Sequence, residues 1–368
     1  MKLKGRILTT LGWFDGQIEF GTTVENISPR LEVKPLYIVP GFIDVHVHGG
    51  GGGDAMDGTE GLAAMSRFHA RHGTTALLAT TITNPWDNVL GALEAIRNFT
   101  SPEDGAQVVG AHLEGPFISP HRLGAQPPFT VDPTPERVRA VLATGVVRVV
   151  TVAPELPGAL EAIGMFLAAD VRVSLGHTVA DAETVLEVFA LATRLKKSHL
   201  ISGTHLYNAM GGLEGRKPGV LGALLGNPNS HGEVILDGHH VHPSAFRAAF
   251  FAKPERLMLI TDAIRAAGQP DGTYDLGGQA VQLEGGVVRL PDGTLAGSVL
   301  TMIQAVRNAV AAGLAPEVAL KLATLHPAQY LGLAGYGKLM QGSRADLLVL
   351  DEALEVQAVY IGGRQVHP

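Results

Sequence analysis

Cysteine is absent from all 368 residues, which removes disulfide scaffolds, thiolate metal sites and cysteine nucleophiles together. Any transition metal bound by this chain is therefore held by His, Asp or Glu. A basic excess is missing too: 28 Lys and Arg stand against 35 Asp and Glu, a formal charge of −7. Nucleic acid is bound through clustered positive charge, so it is not an expected partner. No apolar stretch runs to the length of a membrane span, and the opening Met1-Lys2-Leu3-Lys4-Gly5-Arg6-Ile7 carries no apolar leader core. The expectation is a soluble, cytoplasmic protein with no membrane partner. Low complexity is confined to Gly49 to Gly53, which lacks the Lys and Ser/Thr of a phosphate-binding loop. No dinucleotide fingerprint, serine-nucleophile motif or fixed-period repeat is found either.

What is present is a well-filled globular composition, 46% hydrophobic and only 17% charged. Glycine is abundant, 46 residues, and gathers beside His, Asp and Glu at the ends of apolar runs. That placement implies close backbone approach around a site. Eight short β-branched runs stand out: Ile38 to Val47, Thr74 to Ile82, Val108 to Leu113, Val147 to Val152, Val171 to Leu175, Ser202 to Leu206, Glu233 to Leu236 and Arg256 to Ile260. Most are continuously apolar, as parallel strands buried on both faces are. Helix-like stretches such as Thr59 to Arg71, Pro135 to Ala143, Ala180 to Leu195 and Pro243 to Ala252 separate them. Strand alternating with helix eight times predicts an α/β protein built as a (β/α)8 TIM barrel, over residues 39–335. Residues 1–38 and 336–368 have short strand-like pieces and no helical period, and predict a small β-sandwich domain made from both termini. A hairpin is expected over Gln279 to Leu290.

The strand ends carry the chemistry. The first closes on Asp44-Val45-His46-Val47-His48, where positions i and i+2 face the same side, so both imidazoles can share a metal. Others close on His112-Leu113-Glu114, Gly176-His177-Thr178, Thr204-His205-Leu206, Asp237-Gly238-His239-His240 and Thr261-Asp262-Ala263. Each has a bland reading: a lone His-x-His pair is a weak signal, His177 or His205 singly is commonly a structural histidine, and Asp262 could cap a helix. Those readings must be invoked six times over, whereas catalytic residues at the carboxyl ends of several strands are what this fold provides. The remaining histidines are assigned to surface or packing, with His112 supporting the site from behind. A divalent metal held by imidazole and carboxylate is expected: zinc first, with iron, manganese or cobalt as alternatives. Asp262 is the candidate proton shuttle between an attacking water and a departing nitrogen.

These segments resemble a known family. Pro40-Gly41-Phe42-Ile43-Asp44-Val45-His46-Val47-His48-Gly49 resembles the opening barrel strand of the amidohydrolase superfamily. His112-Leu113-Glu114-Gly115-Pro116-Phe117 and Thr204-His205-Leu206-Tyr207-Asn208-Ala209-Met210 are similar to its N-acetylglucosamine-6-phosphate deacetylase branch, and the likeness covers nearly the whole chain. The resemblance implies a metal-dependent hydrolase of amino sugar and carbohydrate metabolism that removes the acetyl group of N-acetylglucosamine 6-phosphate. It implies Glu114, His177 and His205 as the main metal ligands and Asp262 as acid/base and metal contact. It also implies sugar-phosphate contacts at Ala125, Gln126, Asn208, Ala209, Arg216, His240, Leu295, Ala296 and Gly297. Backbone N–H groups near Asn208 and Ala209 are expected to donate to the phosphate. Arg216 is expected to reach across a homodimer. Some members lack the two first-strand histidines and keep one metal; His46 and His48 here imply one or two per chain, with Glu114 between them.

Two rivals remain. Cyclic amidases of the dihydroorotase or hydantoinase kind share His-x-His but bridge two metals with a carboxylated Lys on the fourth strand, and Val147 to Val152 contains no Lys. A non-catalytic sugar-phosphate-binding barrel is the other, since fold alone does not fix function.

Overall fold

The continuously apolar runs close into a barrel. In this computed structural model, which describes residues 1–367, six of them form one parallel sheet. Its strands, in chain order, are Phe42–Val47, Thr74–Thr81, Gln107–Glu114, Val147–Val152, Arg172–Leu175 and Ile201–Gly203. The seventh and eighth barrel strands, Gly232–Ile235 and Leu257–Ile260, pair with each other in parallel. Backbone hydrogen bonds complete the ring. Gly203 N donates to His231 O at 3.1 Å and Leu206 N to Glu233 O at 2.8 Å on one side; Asp262 N donates to His46 O at 2.9 Å on the other.

Helices Gly58–Arg71, Trp86–Asn98, Pro135–Ala143, Ala159–Ala168, Ala182–Arg194, Gly219–Gly226 and Pro243–Ala252 follow the first seven strands. Their starts obey local chemistry: the Thr134 side chain accepts from Arg137 N ahead of Pro135, and Asp181 accepts from Thr184 N. The core is the aliphatic layer between strands and helices, with Ile43, Leu77, Val149, Val173 and Leu259 fully buried.

The expected strand Ile38 to Val47 is two strands. Tyr37–Pro40 joins the terminal sheet, the chain turns at Gly41, and Phe42–Val47 enters the barrel. A Cβ at Gly41 would lie 2.1 Å from the Thr75 hydroxyl, so only glycine lets the chain cross there. The termini build one sheet of seven strands with its own core of Ile7, Ile18, Phe20, Ile38, Leu347 and Tyr360. The hairpin forms as Gln279–Glu284 and Val287–Arg289, and gains a third strand, Gly272–Leu276. This small sheet hangs over the carboxyl ends of the barrel strands.

Candidate active site

Four imidazoles converge on one carboxylate. Glu114, at the end of the third barrel strand, directs Oε1 to His205 Nε2 at 3.0 Å, His177 Nε2 at 3.2 Å and His46 Nε2 at 3.4 Å. Its Oε2 faces His48 Nε2 at 3.1 Å. Asp262 joins from the eighth strand, with Oδ1 at 3.2 Å from His48 Nε2 and 3.4 Å from His46 Nε2. Within each imidazole pair the Nε2 atoms are close, 3.3 Å for His46 and His48 and 3.1 Å for His177 and His205.

The outer ring nitrogens explain the orientation. His46 Nδ1 donates to Glu233 Oε2 at 3.0 Å, His48 Nδ1 to Thr80 O at 3.2 Å and His177 Nδ1 to Arg122 O at 2.9 Å. With those protons placed outside, the Nε2 atoms of His46, His48 and His177 present lone pairs inward, His46 and His48 to each other and all three to carboxylate oxygens, while His205 Nδ1 has no partner among the described residues. Acceptors facing acceptors in a buried site need a cation between them. Electrostatics agrees. Burial opposes a proton on His48, yet Asp262 and Glu114 outweigh it and carry His48 up to about 9. Burial would likewise raise Asp262 and Glu114, but His46 and its neighbours hold Asp262 down to about 2 and Glu114 well below the usual carboxylate range. The cluster demands positive charge, and the donor set of imidazole nitrogen and carboxylate oxygen fits a divalent transition metal.

Local backbone is bent to make this arrangement. His177, His205 and Asp262 have φ of 49°, 27° and 49°. Left-handed conformations at non-glycine residues cost about 1–3 kcal/mol each and concentrate at functional sites. Gly297, at φ 60°, packs against the Asp262 segment, where an added Cβ would lie 2.5 Å from Ile264 and 3.0 Å from Asp262 O.

A cavity of about 310 Å³ opens above the cluster. His48, Glu114, His177, His205 and Asp262 form its floor, and Ala125, Gln126, Asn208, Ala209, His240, Leu295 and Gly297 stand around it. Several expectations change in detail. His46 lies beneath the floor, fully buried. Ala296 is also buried, its N–H donating to Val288 O, and it does not face the cavity. The Asn208 N–H is taken up by His205 O at 3.0 Å, so it is not an exposed donor. Gln126 hydrogen-bonds Glu114. Arg216 is exposed on the loop before Gly219–Gly226 and lines no part of this cavity. His240 lines the cavity, and its Nδ1 donates to Asp237 Oδ2 at 2.7 Å.

Sequence reading missed Glu233 and Arg289. Glu233 is a fully buried carboxylate on the seventh strand, and its signal was a lone acid inside the apolar run Gly232–Ile235. Arg289 ends the small sheet and lines the cavity rim, its Nη1 donating to Gly293 O at 2.8 Å. An alternating surface strand gave no sign of that. His112 is a support: its ring nitrogens are engaged by Val45 O at 3.1 Å and Thr151 Oγ1 at 2.8 Å.

A barrel whose strand ends assemble imidazoles and a carboxylate around a cation-demanding floor defines a metal-dependent hydrolase class. The Amidohydrolase family matches residues 37–366, and this chain belongs to that family. An N-acetylgalactosamine-6-phosphate deacetylase of Escherichia coli O157:H7 is 40% identical, over 98% of this chain and 97% of the relative. An N-acetylglucosamine-6-phosphate deacetylase of Lysinibacillus sphaericus is 38% identical, over 91% of this chain and 87% of the relative. Among solved structures, an N-acetyl-D-glucosamine-6-phosphate deacetylase of Mycobacterium smegmatis superposes with a TM-score of 0.92. It is 35% identical and covers 100% of this chain and 99% of its own; it is an Asp-to-Ala variant in complex with N-acetyl-D-glucosamine-6-phosphate.

Proposed function

We propose that this protein hydrolyses the acetamide of N-acetylglucosamine 6-phosphate to glucosamine 6-phosphate and acetate. The observation that carries the reading is the convergence of Glu114, His46, His48, His177 and His205 beside Asp262 at the base of a sugar-sized cavity. Glu114, His177 and His205 would hold one divalent cation, and His46 and His48 with Glu114 a second; zinc is the first choice. Bound there, a divalent cation supplies Lewis-acid polarisation of a carbonyl and acidifies water.

The chain's own residues do the rest. Asp262 is ionised at neutral pH and takes a proton as the water oxygen bonds to the acetyl carbon. It returns that proton to the sugar nitrogen as the C–N bond breaks, so the amine leaves neutral with acetic acid, which gives up its own proton to become acetate. His240, oriented by Asp237, and the Ala209 N–H, which donates to no protein group among the described residues, suit the phosphate end. Leu295 and Gly297 border the sugar, and Gln126 holds Glu114.

The partner arrangement belongs to the same proposal: a homodimer in which Arg216 enters the neighbouring site. Its exposure on a loop away from its own cavity supports that direction of reach. No helix among the described residues is long and apolar enough to cross a membrane. A cytoplasmic place of action is supported by the charge of a sugar phosphate, which bars it from an apolar bilayer. Division of the chain into a β part, 1–38 with 336–368, and a barrel, 39–335, is supported by the separate terminal core, with the crossing close to Gly41.

The cyclic-amidase alternative is disfavoured on the fourth strand, where Thr151 spends its hydroxyl on His112 and Thr204 and no Lys is present to be carboxylated. The test is metal analysis alongside acetate release from N-acetylglucosamine 6-phosphate, with the galactosamine epimer in parallel because one relative is named for it. Release from the gluco sugar is the expected result, and turnover of the galacto sugar alone would replace the substrate assignment.

A further inference from the structure

Glu233 is a carboxylate with no solvent exposure, set behind the first-strand histidines. Burying a carboxylate costs several kcal/mol unless its surroundings compensate. Here Oε2 accepts from His46 Nδ1 at 3.0 Å and, more weakly, from His205 N at 3.4 Å, while Oε1 has no hydrogen-bond partner among the described residues. No Lys or Arg forms an ion pair with it among the described residues. The one side chain that Glu233 engages is thus the His46 imidazole.

His46, His112 and Glu233 also lie close enough to suggest a separate cation position. His112 rules that out, because Val45 O and Thr151 Oγ1 already occupy its two nitrogens. What remains is a relation between Glu233 and the ring of His46. A carboxylate on Nδ1 fixes the tautomer, turns Nε2 inward and makes it a stronger donor to a metal. His48 and His177 are pinned by backbone carbonyls, which carry no formal charge. Of the four clustered imidazoles, His46 alone has its Nδ1 on an acid among the described residues.

We propose that Glu233 is the positioning residue that makes the His46–His48 side of the cluster a metal site, and so sets whether the chain holds a second cation. The inference rests on the proposed metal hydrolase reading and extends it to a residue that touches neither substrate nor cation. Glu233→Gln keeps size and an acceptor oxygen but loses the charge. Glu233→Leu removes the acceptor as well.

The experiment measures metal content per chain for wild type and both variants across a chelator series, with thermal unfolding of the metal-free proteins and acetate release alongside. The expected result is that wild type retains two metals and that one of them binds about 10–100-fold more weakly in Glu233→Leu. Glu233→Gln falls between, and the other metal is retained by all three. His46→Ala should lose the same metal, and adding Glu233→Leu to it should weaken the remaining metal little further. Equal retention of both metals in every variant overturns the proposal. So does parallel loss of both, or a metal-free melting shift that accounts for the loss, since those mark a structural role. Wild type holding one metal overturns it too, while continued acetate release would leave the deacetylase reading standing. No acetate release from metal-replete wild type would instead strike the reading itself.

Discussion

Gln126 Nε2 donates to Glu114 Oε2 at 2.6 Å, and the same amide accepts Thr83 N–H through Oε1 at 2.7 Å. The backbone N–H can only meet an oxygen, so the amide orientation is fixed and its NH₂ must point at Glu114. Gln126 thereby holds the oxygen of Glu114 that faces His48. Gln126→Glu cannot donate and sets a second carboxylate against the first. A hydrogen bond to a charged group contributes about 1.5–3 kcal/mol, so kcat/KM should fall roughly 10- to 150-fold. Unchanged kinetics with this variant would show that the contact is incidental.

Asp262→Asn preserves size but cannot take a proton. Turnover should drop by about 10²–10⁴ while metal content stays at the wild-type level. Loss of metal together with activity would make Asp262 chiefly a ligand, and near-normal turnover would remove it from the mechanism.

Both the barrel and its chemistry were largely readable because they depend on residue identity at strand ends. Continuous apolar runs gave parallel strands, and the imidazoles and carboxylates that close them gave the cluster. Less was readable where geometry depends on contacts distant in sequence. The turn at Gly41 depends on Thr75 of the neighbouring strand. Ala296 is expected at the sugar by resemblance; it is buried, with its N–H paired to Val288 O. Glu233 sits 187 residues from the histidine it serves. Its meaning appears only when the closed ring brings residues of the first, sixth and seventh strands together. The left-handed backbone at His177, His205 and Asp262 leaves no local mark, since none of these residues is glycine.

Phosphate recognition separates two arginines. Arg216 is exposed outside its own cavity, whereas Arg289 is, among the described residues, the one Arg or Lys on the cavity rim. Reach across a dimer predicts that Arg216→Ala weakens use of the phosphorylated sugar by about 10- to 150-fold. It should hardly change the poor reaction with unphosphorylated N-acetylglucosamine. Mixed dimers of Arg216→Ala with Asp262→Asn should regain activity. If Arg216→Ala is silent and Arg289→Met shows the loss, phosphate is read within one chain.

His69 gives a pH prediction outside the cluster. Burial lowers its pKa to about 4, while Nε2 donates to Gly49 O at 2.9 Å. Below the ordinary value of 6.5, the unfolded chain takes a proton that the folded chain refuses until about pH 4. Stability is therefore unaffected by this group above pH 6.5 and falls as pH drops through that window. The loss reaches up to about 3 kcal/mol. His69→Gln, which can still donate to Gly49 O, should flatten that part of the acid limb in denaturant titrations. An identical limb would assign the loss to other groups.

The most direct test of the account is acetate release by metal-replete protein from N-acetylglucosamine 6-phosphate, repeated after chelation and after metal is restored. The account predicts release that is abolished by chelation and recovered on adding a divalent cation, with hydantoin and dihydroorotate left intact. Opening of either ring without acetate release, or release that survives complete metal removal, would contradict it.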